Sequence, residues 1–214
     1  MNQAYPMHGA KPIQIGKIAT SRHEIRDLIK AWIVISFAFA MVLSGSFLNE
    51  AFSGFFVISA LTVGIGFILH ELAHKIVAQR FGCYAEFRAF NGMLMMAVLL
   101  SFLGFIFAAP GAVIIAGPVG RRRNGKIAVA GPVTNLVLAV VFLGLFSVYP
   151  SGFMSTFARY GFMINTWLAL FNMIPIWQLD GKKVLAWSKP IYFGVLAFGF
   201  GLHVVATALP RLLS

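Results

Sequence analysis

His70 and His74 stand four residues apart, with Glu71 directly after the first, in the string His70-Glu71-Leu72-Ala73-His74. Positions i and i+4 share one face of a helix, so both imidazoles can reach one metal ion while the Glu71 carboxylate projects beside it as a general base. In a chain with only five histidines the string is a specific signal. The chemistry it serves is hydrolysis: zinc acidifies a water and polarises a carbonyl, and the carboxylate carries the proton from that water to the leaving amine.

A catalytic zinc takes three protein ligands and keeps one position open. Beyond the two histidines and Glu71, the apolar part of the chain offers Glu50, Glu86, Asp180 and His203. Asp180 fits best by depth, because it follows the Pro175 break on the side of the membrane where the histidines fall. Asp followed by Gly is equally the pattern of an ordinary turn; beside a two-histidine site, a dication would stabilise its carboxylate. Glu50 and Glu86 read as interfacial groups, and His203 as a packed residue of the last helix.

The environment of these groups follows from composition. Hydrophobic residues make up 59% of the 214 and charged residues 11%, with a mean hydropathy of +0.85, whereas about a quarter of the residues of a soluble domain are charged. The chain reads as an integral membrane protein, in which ionisable residues inside a span are functional by default. Its net charge of +11 sits in clusters at the edges of apolar runs, the pattern of positive-inside topology, so lipid head groups rather than nucleic acid are the expected polyanion. The single cysteine, Cys83, allows no internal disulfide and reads as a packed or interfacial thiol.

The elements that must hold the site can be read from the apolar runs. Residues 1–27, broken by Pro6, Pro12 and Gly16, predict a retained surface arm or strand pair. Ser21 with Glu24 has capping-box spacing, and the first membrane helix follows over about 28–48. A second helix over 54–80 carries the motif and stops at Gly82. A third is expected over 127–148, a fourth from about Thr156 to Pro175, which must break or kink it, and a last over 190–209.

The stretch 91–119 is apolar but broken by Gly104, Pro110, Gly111, Gly117 and Pro118, and basic residues flank it on both sides. A span would strand one basic group on the outer face, so a re-entrant hairpin is predicted. Such a hairpin could hold an unwound substrate peptide by strand addition. Gly64, Gly66, Gly194, Gly199 and Gly201 read as close-packing positions. The fold class is an all-α polytopic membrane protein with about five to six transmembrane helices and an embedded hairpin or short β segment between the second and third. One membrane-embedded domain over 28–214 is expected, with its catalytic core at about 54–186.

Three motifs in order resemble the site-2 protease family of intramembrane zinc metalloproteases: His70-Glu71-Leu72-Ala73-His74, then Ala130-Gly131-Pro132-Val133-Thr134-Asn135, then Asn172-Met173-Ile174-Pro175-Ile176-Trp177-Gln178-Leu179-Asp180-Gly181. The resemblance implies one zinc ion on His70, His74 and Asp180, with Glu71 activating water. It implies a groove-shaping role for Gly131, Pro132 and Asn135, and makes Asn172 and Asn135 candidates for binding substrate or its oxyanion. It further implies a multi-pass protein of the cytoplasmic membrane whose site opens to the cytosol and whose substrates are transmembrane proteins. Many members carry glycine where Ala73 stands, and the chain resembles the minimal form without a PDZ domain.

Two rival functions share these residues. A metal transporter or sensor would use the same ligands, and a catalytically silent scaffold would keep the groove. Glu71 separates the first from a protease, because only hydrolysis needs it as a base. The joint presence of His70, Glu71, His74 and Asp180 argues against the second.

Overall fold

The computed structural model describes residues 13–16, 18–106 and 110–212. Of the expected N-terminal arm, residues 1–12 lie outside the described residues; the remainder forms a hairpin in which β1 (Ile13–Ile15) pairs antiparallel with β2 (Ile18–Thr20). Helix α1 (Arg22–Ser44) starts on Ser21, whose hydroxyl accepts from the Glu24 amide at 3.1 Å. Only half of the capping box forms. The Glu24 side chain turns into the interior, where it meets Lys75, instead of returning to the Ser21 amide.

A continuous span then runs over Phe52–Arg80. It comprises α2 (Phe52–Ser59), a π-helical turn (Ala60–Gly64) and α3 (Ile65–Arg80), which carries the metal motif. The π turn was not foreseen. It is held by the Trp32 indole, which donates to the Ala60 carbonyl at 2.9 Å. Gly82, at φ 76°, closes the span: its left-handed conformation lets the Cys83 amide reach back to the Ala78 carbonyl at 3.1 Å. Gln79, one residue before Arg80, binds both backbone groups of Ala19, at 3.1 and 2.8 Å, and so docks the β1–β2 hairpin against α3.

The predicted embedded hairpin exists with different bounds. Its strands are β3 (Tyr84–Ala89) and β4 (Gly111–Ala116), antiparallel from Tyr84↔Ala116 to Ala89↔Gly111. Between them lies the apolar helix α4 (Asn91–Ser101), hidden in the sequence because the breakers that suggest a non-helical hairpin all follow it. At 11 residues it is roughly 16 Å long, about half the hydrocarbon thickness, and cannot cross a bilayer.

Helix α5 (Arg121–Val148) begins at the arginine cluster rather than near Ile127. Basic residues in a first turn oppose the helix dipole, and their membrane-edge position is the competing demand that wins. Helix α6 (Gly152–Asn172) starts before Thr156 and ends before Pro175, which therefore lies in a loop and kinks nothing. The short α7 (Asp180–Trp187) and the long α8 (Lys189–Leu212) complete the chain.

Four described helical segments are long and apolar enough to cross a membrane: Arg22–Ser44, Phe52–Arg80, Arg121–Val148 and Lys189–Thr207. Helix α6 has the length, 21 residues, but not the hydropathy. Its polar residues Asn165 and Thr166 are fully buried on a helix packed beside α5, while the exposed Arg159 also lowers its hydropathy. The protein is thus a mostly helical membrane protein with α5 at its centre, packed against α3, α6, α7 and α8. Gly64, Gly66 and Gly199 have side chains packed closely over them, as expected, whereas Gly194 and Gly201 face open space.

Candidate metal centre

Helix α3 presents His70 and His74 one turn apart on its α5 side, and the start of α7 brings Asp180 onto them. All three are buried, and one ligand atom from each lies within 4.8 Å of the others. The two imidazole Nε2 atoms are 3.0 Å apart, and Asp180 Oδ2 is 3.4 Å from that of His70 and 3.0 Å from that of His74. Glu71, on the same turn, is also buried.

The opposite ring nitrogens explain why this cluster fits a cation. His70 Nδ1 donates to Asn135 Oδ1 at 2.5 Å, and His74 Nδ1 donates to the Ile127 carbonyl at 2.8 Å. Each ring, when neutral, therefore carries its hydrogen on Nδ1 and turns an Nε2 lone pair towards its neighbour and towards the Asp180 carboxylate. With both rings neutral, three acceptors converge and repel unless a cation lies between them. Two imidazoles and one carboxylate, with a further position open, form a catalytic zinc donor set.

The Asn135 amide is itself oriented. Its Nδ2 donates to the Gly66 carbonyl at 3.1 Å and to Asn165 Oδ1 at 3.0 Å, and Asn165 Nδ2 donates to the Gly161 carbonyl at 2.9 Å. The carbonyl of Gly161 thus fixes Asn165, which fixes Asn135, which fixes the tautomer of His70. Asn135 is fully buried with both amide atoms engaged, so its contacts are to His70 and the helix core rather than to an open groove. Gly131, one turn earlier on α5, is required by space: a Cβ there would lie 2.5 Å from both Nε2 atoms. Asn172, at the end of α6, bonds back to the Leu168 carbonyl at 2.9 Å and makes no hydrogen bond to the cluster.

The remaining candidates stand apart. Glu50 is exposed in the loop after α1, and His203 packs edge-on against Phe162 with ring centroids 5.5 Å apart. Glu86 is buried on β3, accepting from the Ser21 and Tyr84 hydroxyls and pairing with Arg88 at 3.2 Å. Sequence reasoning missed Asn165, the Ile127 carbonyl and Lys183, which approaches Asp180 Oδ1 at 3.5 Å. For Asn165 a signal existed, an amide in an apolar helix.

The β3–β4 ribbon lies beside this centre with unlike edges. Three of the outward backbone groups of β3 are taken by side chains: Ala89 N–H by Asp27 at 3.1 Å, Phe87 N–H by Glu24 at 3.0 Å, and the Ala85 carbonyl by Gln79 at 3.2 Å. Residues that point outward on β3 face residues that point outward on β4, so Gly111, Val113 and Ile115 direct their backbone groups to the other side. No strand covers that side among the described residues, and β4 packs against α3, the helix that carries Glu71.

Comparison with known proteins agrees with this centre. A Methanocaldococcus jannaschii protein named "Putative zinc metalloprotease MJ0611" is 40% identical over 190 residues, covering 86% of this chain and 96% of that protein. The chain belongs to the site-2 protease family of zinc metalloproteases. Two further relatives bear zinc metalloprotease names. Rip2 of Mycolicibacterium smegmatis is 31% identical over 165 residues, 69% of this chain and 63% of its own length. YwhC of Bacillus subtilis is 29% identical over 155 residues, 58% of this chain and 66% of its own. No family model and no solved structure matches the chain. The metal of this metalloprotease is zinc, and the His70, His74 and Asp180 cluster is the described group able to hold it.

Proposed function

We propose that this metalloprotease cuts peptide bonds in or near the transmembrane segments of membrane proteins, with His70, His74 and Asp180 as zinc ligands and Glu71 as the base. The observation that carries the reading is the convergence of three lone-pair donors beside a buried carboxylate on a helix that is long and apolar enough to span a bilayer. Counted from Arg80, the histidines lie roughly 9 and 15 Å along that helix, below the membrane edge.

Zinc, when bound, acidifies a water and polarises the scissile carbonyl. The Glu71 carboxylate accepts the proton of the attacking water and returns it to the leaving amine nitrogen. Asn135, itself aligned by Asn165, and the Ile127 carbonyl hold the two imidazoles so that their Nε2 atoms face inward. The free edge of β4 offers the amides and carbonyls of Gly111, Val113 and Ile115 to an extended peptide, which would lie as a third strand beside Glu71. A substrate helix must unwind to take that place, since its own carbonyls are otherwise paired. Asn172 has no contact that assigns it to the oxyanion.

The cytoplasmic membrane and a cytosol-facing site are part of the same proposal. Arg121 at the start of α5 bonds the Ala186 carbonyl of α7, and Arg123 lies over the Phe81 ring just after α3. These contacts gather Arg80, the Arg121 cluster, Lys182 and Lys183 at one end, the end that positive-inside topology assigns to the cytosol.

The test is cleavage of a transmembrane test substrate by the detergent-purified protein beside its Glu71→Gln variant, with zinc measured in both. The expected result is retained zinc and a rate lowered by about 10²–10⁴-fold in the variant, the usual worth of a general base. Equal rates would remove Glu71 from the chemistry.

A further inference from the structure

We infer that Glu24 and Lys75 are positioning residues that set where the free edge of β4 stands against Glu71, and thereby which peptide bond of a bound strand is cut. The inference rests on the proteolytic reading above. Lys75 follows His74 directly and lies one turn after Glu71, yet its side chain is 1% exposed and pairs with Glu24, which is 0% exposed. A pair withdrawn this far from water adds little net stability over apolar packing, because desolvation offsets the attraction; fixing an arrangement is the better-attested use of such a pair.

The arrangement that it fixes is visible in the other partners of Glu24. One carboxylate oxygen takes Lys75 and the Thr20 hydroxyl, the latter at 2.7 Å, and the other takes the Phe87 amide at 3.0 Å. Phe87 stands opposite Val113 in the ribbon, and β4 packs against α3, the helix that carries Glu71. One rung of the ribbon is thus gripped at its β3 edge by the carboxylate of Glu24 on α1. Lys75 closes the circuit by tying Glu24 back to α3 next to a metal ligand. Asp27, one turn further along α1 and bonded to the Ala89 amide, grips the next outward rung of the same edge.

A peptide that adds to β4 takes its register from the β4 amides. A shift of one residue moves the strand by about 3.4 Å and turns each side chain to the opposite face. The bond presented to Glu71 is therefore set by where β4 stands, and where β4 stands is set through β3 by Glu24 and Lys75.

The experiment uses the full chain with Glu24→Met and Lys75→Met combined, so that no buried charge is left unpaired, and Glu24→Asp alone, which keeps the charge and withdraws it by one methylene. Products of a single-span substrate are mapped by mass, and amide hydrogen exchange is followed over 84–89 and 111–116. The expected result is full zinc content, cleavage displaced or spread to neighbouring bonds, a lower kcat, and exchange about tenfold faster or more in the two strands but not in α5 or α6. Lys75→Arg in the otherwise native chain, which keeps a cation on Glu24, should retain the single native cut. The native bond cut at native kcat, with unchanged exchange in both variants, would overturn it. Should the native protein cut nothing, the proteolytic reading falls, while unchanged strand exchange would still overturn, and selectively faster exchange still support, the positioning role. If the double variant fails to fold, the Glu24→Asp result decides.

Discussion

Asn135 illustrates how a residue can be marked by sequence while its contacts wait for structure. The motif around Gly131 and Pro132 singles it out as a substrate candidate, and the fold spends both of its amide atoms on His70, Gly66 and Asn165. Asn135→Leu should therefore weaken zinc by about 10–100-fold, the usual cost of losing such an outer partner, measurable by competition with a chelator; unchanged affinity would return it to the groove. Gly131→Ala should lose zinc more severely, since its Cβ would crowd both Nε2 atoms. The three motif residues were legible because i and i+4 spacing is a local property of a helix. Asp180 was legible by depth. The contacts of Asn165, and of Glu24 with Lys75, were not, because their partners lie on other helices, 30 and 51 residues away in sequence.

Among the elements, the β3–β4 ribbon gives the sharpest expectation. Ile115 points its amide to the free edge and Ile114 points its amide into the ladder, so the two positions separate substrate binding from folding. Ile115→Pro should leave the thermal midpoint nearly unchanged and raise KM, while Ile114→Pro should lose a ladder bond and about 1 kcal/mol or more of stability. Equal KM in Ile115→Pro and the native protein would contradict strand addition. Hydropathy and breakers located the five long helical segments and a re-entrant feature between the second and third. The π turn and α4 escaped that reading, the first because it depends on the Trp32 indole across a helix interface, the second because a short apolar helix and a buried strand look alike in a hydropathy pattern.

For the molecule as a whole, the distribution of charge makes the orientation testable. Cys83 is buried, so single cysteines at Glu50 and Lys182 in a Cys83→Ala background report the two faces. Position 182 should react with a membrane-impermeant thiol reagent only from the cytosolic side and position 50 only from the other; the reverse pattern would invert the topology. The positive-inside rule supplies this expectation from the sequence. The gathering of Arg121 against α7 and of Arg123 over Phe81 was not, since it arises only when α3, α5 and α7 pack together around the metal ligands. The central claim, zinc-dependent hydrolysis within the bilayer, is tested most directly by reconstituting the protein in lipid vesicles with a single-span substrate and mapping the cut bond by mass before and after zinc is stripped and restored. The account predicts cleavage within or at the cytosolic edge of the span, lost with zinc and regained with it. Cleavage confined to an aqueous loop, or unaffected by stripping zinc, would contradict it.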